Sequence, residues 1–140
     1  MRKTALALGL LTAAVAWSGA QSAVVAYKAT LSGAQEVPPV AGPASGSAAV
    51  NVDTATKQAS WTISYNGLSG PPKAAHIHCG GAAGANGPVA VPIASIATSP
   101  ATGSGAMTDA QLADLQAGKC YVNIHTEKNP NGELRGQLTP

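Results

Sequence analysis

Trp61-Thr62-Ile63-Ser64-Tyr65-Asn66 alternates a large apolar side chain with a smaller polar one along its whole length. A period of two is the spacing of a half-buried strand, and no helical spacing fits it. Asn66-Gly67 and Ser69-Gly70-Pro71-Pro72 end that strand with turn residues. Upstream, Ala48-Ala49-Val50-Asn51-Val52-Asp53 repeats the alternation and is followed by a polar turn over 53–57. Between it and the strand formers at 24–31 lies a loop carrying Glu36-Val37-Pro38-Pro39 and Ala41-Gly42-Pro43, whose prolines cannot donate to a sheet ladder.

Downstream, residues 73–79 form another short apolar strand, and 80–88 is a loop so rich in glycine that it is either mobile or tightly turned. That loop lacks the Gly-Lys-Ser/Thr ending of a phosphate-cradling loop and the glycine spacing of a dinucleotide fingerprint. Val89-Ala90-Val91-Pro92-Ile93 resumes as a strand, with Pro92 pointing to a sheet edge, and 99–105 reads as a small-residue loop. Thr108-Asp109-Ala110-Gln111 has the form of a capping box, Leu112 and Leu115 share a helical face, and Gly118 is placed to stop the helix. Residues 119–126 and 133–138 then read as two strands joined by the turn Asn129-Pro130-Asn131-Gly132. Seven or so short strands with one connecting helix predict an all-β fold, an antiparallel β-sandwich of Greek-key type.

The start of the chain follows a different logic. Met1-Arg2-Lys3 is basic, 5–17 is apolar and uncharged, and Ser18-Gly19-Ala20 or Gln21-Ser22-Ala23 offers small residues for cleavage. This predicts a signal peptide over 1–23, cut after residue 20 or 23, and a periplasmic or secreted domain over 24–140. No later segment is long and apolar enough to span a bilayer. Without Arg2 and Lys3, six basic side chains face six acidic ones. A neutral domain with no basic cluster excludes nucleic acid and a polybasic membrane patch as expected partners.

Every histidine and cysteine falls in two short segments, Ala75-His76-Ile77-His78-Cys79 and Cys120-Tyr121-Val122-Asn123-Ile124-His125. Export favours a disulfide, and two cysteines allow one intramolecular bridge, Cys79–Cys120. Strand parity puts His76 and His78 on one face and Cys79 on the other, while Tyr121, Asn123, His125 and Glu127 share a face opposite Cys120, Val122 and Ile124. The bridge is thus expected in the core and the three histidines on the outer side, with Asn123 and Glu127 beside them as supporting residues. Three imidazoles from adjacent strands suit copper, with zinc as the alternative metal. Thiolate ligation is the competing arrangement, and parity opposes it. Unrelated surface histidines are the third.

Leu68-Ser69-Gly70, Ala75-His76-Ile77-His78, Gly84-Ala85-Asn86-Gly87-Pro88-Val89, Gly118 through Thr126, and Asn129 through Leu138 occur in an order that resembles the CHRD domain. That domain takes its name from chordin and also occurs as single-domain exported bacterial proteins. The resemblance implies a metal role for His76, His78 and His125 and leaves the protein partner open. A more distant similarity is to copper-zinc superoxide dismutase, a sandwich with a His-x-His strand and a later copper-binding histidine. No fourth histidine remains to bridge a second metal. The expected function is metal binding, with copper held, buffered or delivered. A metal-free matrix- or partner-binding domain and a copper oxidoreductase are the alternatives, and no catalytic residue is assigned. Paired carboxylates, a Ser-His-Asp order and a nucleophilic cysteine do not stand out.

Overall fold

The protein is described by a computed structural model covering Gly19 and residues 22–140. Nearly all of the expected signal peptide lies outside the described residues. Eight strands follow in chain order: β1 (Val24–Ser32), β2 (Ser45–Asp53), β3 (Gln58–Asn66), β4 (Pro72–Cys79), β5 (Val89–Pro92), β6 (Ala101–Ala106), β7 (Cys120–Thr126) and β8 (Leu134–Gln137), with one helix, α1 (Asp109–Gln116), between β6 and β7. Among the described residues no helix is long and apolar enough to cross a membrane.

All pairings are antiparallel, in the order β5-β4-β7-β8-β1-β2-β3-β6. The β8–β1 seam is thin, with one ladder pair, Ser32 with Arg135, and an isolated bridge from Lys28 to Thr139. At this seam the sheet folds over, and its two four-stranded halves share a single core. Leu31, Val50, Val52 and Ile63 come from one half, and Ile77, Val122, Ile124 and Leu134 from the other, all essentially inaccessible to solvent. The chain crosses between the halves from β3 to β4, from β5 to β6 and from β6 to β7, so β3 pairs with β6 and β4 with β7 out of chain order, as Greek-key connections require. The predicted sandwich is therefore the fold.

The alternation of 60–66 does what its pattern requires. Trp61 and Ile63 point into the core, whereas Thr62 is exposed. The segment 99–105 is a correction: all of it from Ala101 onward belongs to β6, paired with β3 from Gln58–Ala106 to Ile63–Ala101. A strand of small residues shows no alternation because it has almost nothing to alternate. The small residues are needed there, since a Cβ on Gly103 would stand 2.9 Å from Trp61 Nε1 and one on Gly105 2.6 Å from Val91 Cγ1. The Trp61 indole takes that space, and the edge strands β5 and β6 close against each other. Pro92 does lie on an edge strand, where its missing N–H costs nothing.

Helix α1 is set by its predicted capping box. Gln111 N–H donates to Thr108 Oγ1 at 3.2 Å, and Thr108 N–H donates to Gln111 Oε1 at 2.9 Å. Gly118, at φ 73°, turns the chain out of the helix into β7. Leu115 is the helix's buried residue, and α1 lies over the Cys79–Cys120 bridge, with Gln111 O 3.7 Å from Cys120 Sγ.

Candidate metal centre

Strands β4 and β7 pair along their length, with Ala74 opposite His125, His76 opposite Asn123, His78 opposite Tyr121 and Cys79 opposite Cys120. The two cysteines meet as a cross-strand pair bridged at 2.06 Å, on the core side with Ile77, Val122 and Ile124. Parity then sends all three histidines to the other face. His76 Nδ1 lies 3.1 Å from His125 Nε2, and the ring centroids of His76 are 5.4 Å from His78 and 5.0 Å from His125. One nitrogen from each ring falls within 4.8 Å of the others, and among the described residues this is the one such cluster of potential metal ligands.

That face is not the open surface expected from parity alone. Asn123, Tyr121 and Arg135 on it are all at most 3% exposed, and the histidines are half-buried. Two loops cover it. The glycine-rich loop 80–88 is tightly turned, with Gly80 at φ 84° and Gly84 at φ 81°. Arg135 fastens it by donating to Ala82 O at 3.0 Å, Ala85 O at 2.7 Å and Asn86 Oδ1 at 3.1 Å. The second loop follows the single 3-10 turn Gly33–Gln35 and is joined to the first through Asn86 Nδ2, which donates to Val37 O at 3.0 Å. It brings Glu36, 6% exposed, over the sheet to accept a hydrogen bond from Asn123 Nδ2.

The hydrogen bonds fix the imidazole tautomers. A carbonyl oxygen can only accept, so His78 Nδ1, 2.8 Å from Gly87 O, and His125 Nδ1, 2.9 Å from Pro130 O, both carry the proton. The Nε2 lone pairs of these two rings are left free. His78 Nε2 is buried and has no partner at all, and His125 Nε2 meets His76 Nδ1. A carbonyl orienting a ligating imidazole through its far nitrogen is the usual supporting arrangement at metal centres. His78 is also stacked on Tyr121, with centroids 4.8 Å apart and planes 4° apart, while the Arg135 guanidinium lies 3.6 Å from the Tyr121 centroid. Tyr121 comes from the strand between β4 and β8, so its ring links the ligand side to the buried cation.

Electrostatics favour the neutral form of His76 and His78. Burial lowers the pKa of His76, with the neighbouring His125 and His78 adding to it. Burial also lowers that of His78, against the bond to Gly87 and with help from His125 and Arg135. Glu36 moves the other way: burial raises it to about 7, although Arg135 and the Asn123 bond oppose the rise. Two nitrogens on one ion at about 2.05 Å and a tetrahedral angle stand about 3.3 Å apart. The 3.1 Å between His76 Nδ1 and His125 Nε2 is already close to that, and a nitrogen of His78 lies within 4.8 Å of one on each of the other two rings.

Of the two expected supporting residues, Asn123 is brought into the site, and Glu127 is not. The Glu127 carboxylate is exposed at the strand end and pairs with Lys73 at 3.6 Å. Glu36, Tyr121, Arg135 and the carbonyls of Gly87 and Pro130 complete the surroundings; strand parity placed Tyr121 on this face without giving it a role, and sequence reasoning did not find the others. Glu36 carried no periodic signal, and the roles of the carbonyls depend on turns whose side chains say nothing about them. A cleft of about 290 Å3 beside His78, lined by Glu36, Pro38, Asn86, Tyr121 and Asn131, reaches this region. A larger concavity, about 470 Å3, lies elsewhere, on the outer face of β1–β3 around Lys28, Ser47 and Thr62. It contains no cluster of titratable groups, so size alone does not locate the chemistry.

No match was found among curated proteins or among solved structures. The CHRD domain model matches residues 27–138, which takes in every strand from most of β1 through β8 and all three histidines. The chain belongs to the CHRD domain family.

Proposed function

We propose that this CHRD domain binds one metal ion, copper, through His76 Nδ1, His78 Nε2 and His125 Nε2, and that it acts outside the cytoplasm to hold, buffer or hand over that ion. The observation that carries the reading is the convergence of three imidazoles, two with their lone pairs aimed by carbonyl partners and one of those buried without any partner. A buried acceptor left unsatisfied is costly, and a cation satisfies it where another acceptor cannot. With both cysteines in a disulfide, the donors are imidazoles rather than thiolates. Copper(II) outranks zinc on such a set by the Irving–Williams order, and zinc is the alternative occupant. The bridge and the leader-like start both suit an oxidising compartment.

The test is a copper(II) titration of the folded domain against a chelator of known affinity, with EPR on the loaded protein. One equivalent should bind, with an axial signal showing nitrogen coupling, and His78→Gln should lose that binding while keeping the wild-type melting curve. Equal affinity in wild type and His78→Gln would sink the proposal.

A further inference from the structure

His78 Nε2 is not the only orphan on this face. Asn123 Oδ1 is also buried without a hydrogen-bond partner, in a residue that is 2% exposed. The amide is oriented by its nitrogen, which faces Glu36 Oε1 and, at 3.5 Å, Leu134 O. Leu134 O can only accept, so the oxygen is the end turned away from these partners.

The position of Asn123 on the sheet gives that oxygen its meaning. Asn123 is directly opposite His76, two residues before His125 on the same face, and diagonal to His78. Opposite, i±2 and diagonal neighbours are the positions whose side chains meet on one face of an antiparallel pair. Asn123 is therefore the one residue besides the histidines that adjoins all three ligand positions. Its free atom is a Lewis base, like the two Nε2 atoms left free by the carbonyl bonds. Atoms that can all only accept repel one another unless a cation lies among them.

We propose that Asn123 Oδ1 is the fourth donor to the metal, so that the centre is closed by protein rather than left open to solvent or substrate. The proposal rests on the three-histidine reading above and extends it. Glu36 and Leu134 then act as positioning groups, holding the amide nitrogen so that the oxygen faces the imidazoles. Gly132 leaves the room for this arrangement, since a Cβ there would collide with both Asn123 Nδ2 and Glu36 Oε1. Three imidazoles and an amide oxygen form a set for copper(II) or zinc, not for the softer copper(I). Four protein ligands mark a holding site, where a catalytic site keeps a position free.

The experiment uses the copper(II)-loaded domain and measures water-proton relaxivity per copper, together with azide titration followed by its charge-transfer band. A closed centre predicts relaxivity near the outer-sphere level and no azide band in the wild type. Asn123→Ala should raise relaxivity several-fold and admit azide. Asn123→Asp, which keeps an oxygen at that position, should stay closed. Should Asn123→Ala fail to fold, the wild-type relaxivity and the Asn123→Asp comparison decide the matter. A wild-type centre that already exchanges water and binds azide overturns this proposal but leaves the three-histidine site standing. A wild type that binds no copper overturns both.

Discussion

Replacing both cysteines by alanine tests the division of labour between the two faces of β4 and β7. The bridge closes a loop with a sequence separation of 41. In the chain-entropy description, a cross-link over that length stabilises by about 4 kcal/mol through the unfolded state. Two sulfurs, 3% and 0% exposed, also leave a void beneath α1, worth on the order of 1 kcal/mol. A domain of this size loses about 4 °C of melting temperature per kcal/mol, so Cys79→Ala/Cys120→Ala should melt roughly 15–20 °C lower. Copper binding measured well below that transition should stay within about threefold of wild type, because the imidazoles point away from the sulfurs and small couplings are the rule between such sites. Circular-dichroism melts and a chelator-competition titration on the same samples provide both readouts. A melting temperature within 2 or 3 °C of wild type, by the same conversion, would refute the loop-closure argument. Loss of copper from a variant that is still folded would refute the separation of faces.

Two buried carboxyls predict opposite pH behaviour. Burial holds the folded-state pKa of Glu36 at about 7 against an ordinary 4.5, so its favourable contribution is complete below about pH 4.5 and is lost as the pH rises through 7, by as much as about 3 kcal/mol. In the metal-free protein, Glu36→Gln should therefore be more stable than wild type at pH 8 and lose that advantage by pH 5, as urea melts across the range will show. For Glu133, burial pushes the pKa up but is outweighed by hydrogen bonds from the Ser69 hydroxyl and backbone N–H, Thr126 and Asn129, and the result is about 2. Its contribution is present above about pH 4.5 and lost as the pH falls toward 2, so Glu133→Gln should cost about 1–3 kcal/mol at pH 7 and progressively less in acid.

How much of this could be read from the sequence depends on where each contact partner lies. Trp61, Ile63 and Val50 declared their strands because each alternates with a polar neighbour, and helix α1 declared itself through a capping box of four residues, Thr108 to Gln111. The His76/His78/His125 cluster was legible because parity on two strands is a local rule, and the cysteine pair gave the register that joins them. β6 was not legible, since Gly103 owes its place to the indole of Trp61, some forty residues away in the chain, and Gly105 to the side chain of Val91 on another strand. The covered face was not legible either. Asn123 finds Glu36 across 87 residues, and Arg135 finds Ala82 across 53, and neither link leaves a periodic trace.

The cover changes what the three histidines are. On an open strand face they would be partly protonated near neutral pH, and a metal would compete with protons and water for flexible rings. Under the two loops, burial favours the neutral form of His76 and His78, and Gly87 O and Pro130 O decide which nitrogen of His78 and of His125 keeps its hydrogen. Only His76 must then change, giving up the bond from Nδ1 to His125 Nε2 by placing its proton on the other nitrogen. Arg135 makes this preorganisation possible at a distance. It spends its guanidinium donors on the carbonyls of the 80–88 loop and Asn86 and sends none to the imidazoles, so a buried positive charge shapes the site without occupying it. Preorganisation of this kind is what the proposed holding role would need in order to favour one metal over its neighbours in the Irving–Williams order.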